Sequence, residues 1–186
     1  MRTEETGVIV PFDRSYWVVP GKLLAGCYPG DADEAVARER LGRVVDSGIR
    51  VFLNLMEEHE TDHDGAPFAP YDELVRSLFA SSGIAGTVRR VPVRDLDVPD
   101  RATMRFILDF IDFSVAGNNP VYVHCWGGRG RTGTVVGCYL ARHGIGAGRD
   151  ALDGIRYLRR HEATAHLSSP QTDIQRDLVR SWKLGD

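Results

Sequence analysis

The chain has 186 residues, 42% of them hydrophobic and 26% charged, which is enough for one globular domain with an apolar core. Its 23 lysines and arginines against 26 aspartates and glutamates leave a net charge of −3, which argues against a dedicated nucleic-acid binder, because such domains are usually basic. Three cysteines, Cys27, Cys125 and Cys138, are an odd number without metal-ligand spacing, so neither a disulfide framework nor a zinc site is expected. No run of residues nears the roughly 18 apolar positions a membrane span needs. Residues 1–7 lack the basic and apolar regions of a secretory leader, and a reducing, cytoplasmic setting is expected.

In chain order, residues 1–30 read as a lead-in with two short strands, Trp17-Val-Val and Leu23-Leu-Ala-Gly, separated by a Pro20-Gly21 turn. Asp31 is a candidate cap for a helix over 33–47, with Val36, Arg40, Val44 and Val45 near one face and Gly48 at its end. Residues 50–55 form an apolar run of strand length, the pattern of a strand buried on both faces. The stretch 57–70 is acidic, with His59, Asp62, His63 and Asp64 close together. It reads as a solvated loop rather than a metal site, and its place after a buried strand suits substrate recognition.

Residues 71–82 look helical, with Leu74, Val75, Leu78 and Phe79 on one face. A strand follows over 87–93. Asp100 then caps a helix to about residue 116, with Met104, Ile107, Leu108 and Ile111 at helical spacing. Beyond a turn at 118–120 come a strand, a glycine-rich loop and helices over 132–143, 149–161 and 172–183. Strands alternating with helices predict an α/β fold with a central, mainly parallel sheet covered by helices on both faces.

The stretch 121–133, Val-Tyr-Val-His-Cys-Trp-Gly-Gly-Arg-Gly-Arg-Thr-Gly, carries the chemistry. A strand running through a tight loop into a helix aims backbone N–H groups at one point and adds the positive end of the helix dipole. Gly127, Gly128 and Gly130 let the backbone approach a ligand closely. Arg131 offers a planar fork for two phosphate oxygens, and surroundings of this kind hold a cysteine such as Cys125 as thiolate. An anion cradle with a thiolate at its floor suits in-line attack on phosphorus, leaving a cysteinyl-phosphate.

Cys125 and Arg131 stand at C-x5-R spacing, with His124 before and Thr132-Gly133 after. In this the chain resembles the protein tyrosine phosphatase superfamily. Its loop is most similar to the dual-specificity branch, and within it to kinase-associated phosphatases. The resemblance implies the α/β phosphatase architecture over one domain, 1–186. It also implies a phosphate-binding loop in which Trp126, Gly127, Gly128, Arg129 and Gly130 surround the phosphate, and a Thr132 hydroxyl bonded to the thiolate. The leaving oxygen needs a proton, and the family's acid follows the strand upstream of the cysteine. That pattern lands on Asp95, with Pro99 after it and Asp97 in reserve. Gln171 and Gln175 resemble the family's water-positioning glutamines, suited because an amide both donates and accepts. Gln171 is equally readable as a residue of a helix's first turn. His124 reads as a supporting residue that orients the cradle.

The expected activity is hydrolysis of protein phosphotyrosine, with phosphoserine or phosphothreonine as further substrates and no metal or cofactor required, since Arg131 and the amides supply the positive charge. The partner is a phosphorylated protein or a small phosphorylated molecule. Arg129, where tensin-like lipid phosphatases carry lysine, leaves open a phosphoinositide or inositol phosphate substrate. The reading preferred for it is an outward-pointing surface arginine paired with a nearby acid. Trp126, where those enzymes usually carry lysine, weighs against a lipid and suits one wall of an aryl site. A phospho-ligand-binding module without catalysis is the alternative of another class, but a binder needs neither thiol nor acid. Sulfur transfer, which also uses a loop cysteine, does not require the spacing to Arg131.

Overall fold

The computed structural model describes residues 9–186 and the backbone of Arg2–Thr3, so the remainder of the expected lead-in over 1–8 lies outside the described residues. A short strand β1 (Arg2–Thr3) pairs antiparallel with β2 (Ile9–Val10). There follow β3 (Ser15–Val19), β4 (Leu23–Gly26), α1 (Glu34–Asp46), β5 (Val51–Asn54), α2 (Asp72–Ser81), β6 (Thr87–Arg90) and α3 (Arg101–Ala116). The chain continues through β7 (Val121–His124), α4 (Arg131–Arg142), α5 (Arg149–Leu158) and α6 (Asp173–Ser181).

The main sheet has the order β3-β4-β7-β5-β6, with β4, β7, β5 and β6 parallel and β3 antiparallel at one edge. This is the mainly parallel sheet expected, and side chains alternate between its two faces. Leu23, Ala25, Leu53, Val121 and Val123 enter a core with residues of α3, α4, α5 and α6. Leu24, Phe52 and Tyr122 face the opposite way, into a core with Leu41, Val44, Val75 and Phe79 of α1 and α2. Both layers exclude water, which is why β5 and β7 read as unbroken apolar runs. In α4, a Cβ on Gly137 would lie 2.7 Å from Val179 and 2.9 Å from Ile155, so the glycine permits close packing against α5 and α6.

Several local expectations are corrected. Asp33, not Asp31, caps α1, its carboxylate accepting from the Ala35 N–H. Asp31 instead accepts from the Asp33 N–H and pairs with Arg40. The buried stripe of α1 is Ala37, Leu41, Val44 and Val45; Val36 is exposed, and Arg40 reaches out to the Gly30 carbonyl. In α2 only Val75 and Phe79 are fully buried. The helix expected over 149–161 stops at Leu158, and residues 159–167 turn back across the molecule. Asp100 caps α3 as expected, accepting from Thr103 N at 2.6 Å.

The strand register sets up the site. Gly26, Asn54, Arg90 and His124 line up in one row at the carboxyl ends of the parallel strands. The segments that follow them therefore gather at one edge of the sheet, where open α/β folds bind ligands.

Candidate active site

Cys125 leaves the end of the fully buried β7, and α4 begins at Arg131, so the loop between them is clamped at both ends. Its carbonyls turn outward into neighbours. Trp126 O accepts from Tyr28 N at 2.8 Å, Gly127 O from Arg14 Nη2 at 3.1 Å, Arg129 O from Ser169 Oγ at 2.7 Å and Gly130 O from Thr134 N at 2.9 Å. No acceptor among the described residues takes the amide N–H groups of Trp126 to Gly130. A loop with most of its carbonyls spent and its donors without an acceptor among the described residues suits an anion. Gly128, at φ 71°, lies against β4: a Cβ there would come within 2.5 Å of Gly26 C and 2.6 Å of Cys27 N, so only glycine fits.

Cys125 is 3% exposed and lines a cleft of about 440 Å³ with Asp95, Leu96, Trp126, Arg129 and Gln171. The Thr132 hydroxyl donates to its sulfur at 3.1 Å, and Gly26 O lies 3.4 Å from the same hydroxyl. Arg131 is 2% exposed. Its Nη1 donates to Val93 O at 2.9 Å and to Glu60 Oε1, and its Nη2 reaches Glu60 Oε2 at 2.9 Å and Asp95 Oδ1 at 3.0 Å. Burial opposes its charge, but the Glu60 hydrogen bond and the Cys125, Glu60 and Asp95 charges outweigh it and raise its pKa. The Nε is buried and has no partner among the described residues.

Asp95 and Asp97 separate clearly. The segment after β6 stays on the sheet, with Val91 N and Val93 N donating to Asn54 O and Leu55 O, each at 2.9 Å. The chain then turns through Leu96 at φ 61°. Asp95, its side chain 49% exposed, faces the cleft and Arg131. The Asp97 carboxylate accepts from Val98 N at 2.8 Å within its own turn.

His124 is fully buried beneath the loop, its Nδ1 3.3 Å from Cys125 O and its Nε2 2.5 Å from the Tyr71 hydroxyl. A carbonyl only accepts, so the proton is assigned to Nδ1, and Nε2 accepts from Tyr71. Burial, aided by the Arg90 and Arg131 charges and opposed by the Cys125 carbonyl, pushes its pKa down from 6.5 to about 3. It is a neutral brace.

The two glutamines part company. Gln171 lines the cleft. Gln175 is fully buried and does not: its Oε1 accepts from Gln171 N and Thr172 N, both at 3.1 Å, and its Nε2 donates to Asp97 O at 3.1 Å. With Thr172 Oγ1 donating to Leu96 O at 3.2 Å, it ties the start of α6 to the turn carrying Asp95. Its position is that of a support, and its side chain is spent on backbone groups rather than open to a water in the cleft.

Trp126 is half-buried, its ring centroid 4.4 Å from that of His63 and 5.4 Å from that of Phe68. The acidic loop thus reaches the cleft through His63, while the Asp62 carboxylate accepts from Asp64 N at 2.9 Å and Ala66 N at 2.8 Å, shaping the loop itself. Arg129 lines the cleft, and no carboxylate among the described residues pairs with it. Glu60, Arg14 and Tyr71 complete the site and were not singled out from the sequence. The acidic stretch pointed to the right segment for Glu60, but nothing in it distinguished Glu60 from Glu57 or Glu58.

A thiol, a carboxylate and a loop whose amides find no acceptor among the described residues surround one cleft, with the Arg131 guanidinium fixed beside the carboxylate. Residues 30–145 match the sequence model of a family described as polymorphic toxin system, DSP-PTPase phosphatase. The phosphatidylinositol 3,4,5-trisphosphate 3-phosphatase and protein-tyrosine-phosphatase PTEN1 of Arabidopsis thaliana is 26% identical over 177 residues, covering 94% of this chain. The chain spans 39% of that relative's length. Among solved structures, Tk-PTP in its active form gives a TM-score of 0.66 at 20% identity, over 90% of this chain and 94% of that one. Kinase-associated phosphatase with its catalytic cysteine replaced by serine gives 0.62 at 18%, over 89% and 90%. The chain belongs to the DSP-PTPase phosphatase family within the protein tyrosine phosphatase superfamily.

Proposed function

We propose that this chain is a cysteine-dependent phosphomonoesterase acting on phosphotyrosine in proteins, with phosphoserine and phosphothreonine as further substrates. The observation that carries the reading is the set of groups around one sulfur: Thr132 Oγ1 lies 3.1 Å from Cys125 Sγ, the loop amides find no acceptor among the described residues, and Asp95 shares the cleft. In the first step the Cys125 thiolate attacks phosphorus, the Sγ–P bond forms and the ester P–O bond breaks. The departing oxygen takes the proton of Asp95. An arriving phosphate displaces the Asp95 carboxyl group from Arg131 and leaves it beside the departing oxygen. In the second step Asp95 accepts a proton from water, which attacks phosphorus and returns the electron pair to sulfur. Thr132 steadies the departing thiolate by its hydrogen bond, and Gln171 is placed to orient the water.

The slot between the Trp126–His63 pair and Leu96 with Leu167 suits a flat aryl ring. That favours phosphotyrosine. A second reading, a phosphoinositide or inositol phosphate substrate, is favoured by Arg129, which has no carboxylate partner among the described residues. The test is turnover of a generic aryl phosphate under reducing conditions, with and without orthovanadate, followed by a comparison of phosphotyrosine peptides with phosphoinositides. Full activity of Cys125→Ser would refute the mechanism, and a phosphate-binding module without catalysis would show vanadate binding and no turnover.

A further inference from the structure

A second cleft, of about 670 Å³, lies behind the wall of the first, between α5 and α6. Arg149, Arg156, Arg176, Arg180 and His166 line it, with Asp153 the only acidic side chain of the lining among the described residues. This concentration of positive charge runs against the chain's net −3. Arg149 and Arg156 share that one carboxylate, at 3.9 and 3.3 Å, and their side chains are 91% and 81% exposed. Arg180 pairs with Asp177 and Arg176 with Asp173, both outside the cleft and both carboxylates largely exposed. Exposed pairs of this kind are weak and exchange partners easily.

The ridge between the two clefts is rigid. Buried Arg159 holds it from behind, with Nη1 donating to Leu167 O at 3.1 Å and Nη2 to Thr164 O at 3.2 Å, while its Nη2 pairs with buried Glu162 at 2.6 Å. From the front, Ser169 Oγ donates to Arg129 O of the catalytic loop. Leu167 lines both clefts, so a chain crossing it passes from one to the other.

We infer that this cleft docks an acidic stretch of the phosphoprotein substrate, adjacent to the residue being dephosphorylated. Spacing favours an extended polypeptide over a single phosphate. Arg149 and Arg156 are two helical turns apart, about 10 Å along α5, a span bracketed by carboxylates two or four residues apart on one face of an extended chain, about 6.6 or 13 Å, and within reach of long arginine side chains. Leu152, Leu167 and Pro170 supply apolar floor between the charges. The inference rests on the phosphoprotein reading of the catalytic cleft and adds the sequence preference of its substrate.

The test uses fluorescence anisotropy of a short fluorescein-labelled Glu-rich peptide that carries no phosphate, with the whole chain. The wild type binds it, binding weakens as salt rises, and the triple variant Arg149→Gln/Arg156→Gln/Arg180→Gln binds roughly tenfold or more weakly. The same variant hydrolyses a small aryl phosphate at the wild-type rate. Absence of peptide binding, equal binding by the variant, or binding to phosphatidylserine vesicles in place of the peptide overturns the docking inference. Failure of the wild type to hydrolyse the aryl phosphate overturns the phosphatase reading instead, because the anisotropy measurement does not depend on turnover.

Discussion

Glu60 and Arg131 face each other fork to fork, each oxygen of the carboxylate taken by one terminal nitrogen of the guanidinium. The pair fixes the plane of the guanidinium and leaves its Nε without a partner among the described residues. Removing one partner of a buried pair strands the other charge, which costs about 3 kcal/mol. Glu60→Ala therefore lowers Tm by about 6–12 °C and kcat/KM by roughly tenfold or more through loss of orientation. Glu60→Gln recovers most of the stability. Thermal melts with aryl phosphate kinetics check both, and unchanged kinetics in Glu60→Ala would remove Glu60 from the site.

Asp95 and Asp97 are distinguished by leaving-group dependence. Asp95→Asn lowers kcat by about 10²–10⁴ for esters with poorly stabilised leaving oxygens, and much less for activated aryl esters that depart without a proton. Asp97→Asn stays near wild type on both, since its carboxylate only braces the turn. Equal losses for both ester classes in Asp95→Asn would mean that the proton comes from another group.

Gly128 has a built-in control one residue away. A Cβ at Gly128 meets main-chain atoms of Gly26 and Cys27, and φ is 71°, whereas a Cβ at Gly127 meets nothing within 4 Å. Gly128→Ala loses about 1–3 kcal/mol of stability together with turnover, and Gly127→Ala unfolds near the wild-type midpoint. Urea titrations of the two variants side by side decide it.

His124 links stability to pH. Its pKa is lowered from 6.5 to about 3 on folding, so between those values the unfolded chain binds a proton that the native chain does not. Stability then falls with falling pH by up to roughly 1.4 kcal/mol per unit in that window, and the contribution vanishes above the unfolded value. From pH 7 to pH 5 the wild type loses about 2 kcal/mol more than His124→Asn. Urea unfolding at the two pH values measures the difference, and parallel losses would mean that His124 is charged in the native state.

The sequence by itself determined whatever is encoded locally. The loop from Cys125 to Arg131 carries its thiol, glycines, guanidinium and helix start within one short segment, so the whole run, read with its strand and helix context, pointed to the phosphatase family. The cap at Asp100 and the apolar stripe of α3 were legible for the same reason, and the buried runs of β5 and β7 implied a sheet covered on both faces. Tertiary structure decided what crosses between segments. Glu60 stands 71 positions from Arg131 and meets it only because β5 and β7 are neighbours in the sheet. Asp95 and Asp97 are two residues apart in the same turn, yet Asp95 faces the cleft while Asp97 accepts from its own turn, with Leu96 between them at φ 61°. Gln175 looked like a water ligand but is spent on the main chain of its own helix cap and of the acid turn. Such outcomes depend on strand order and crossover geometry, which place remote residues side by side and leave no periodic trace in the chain.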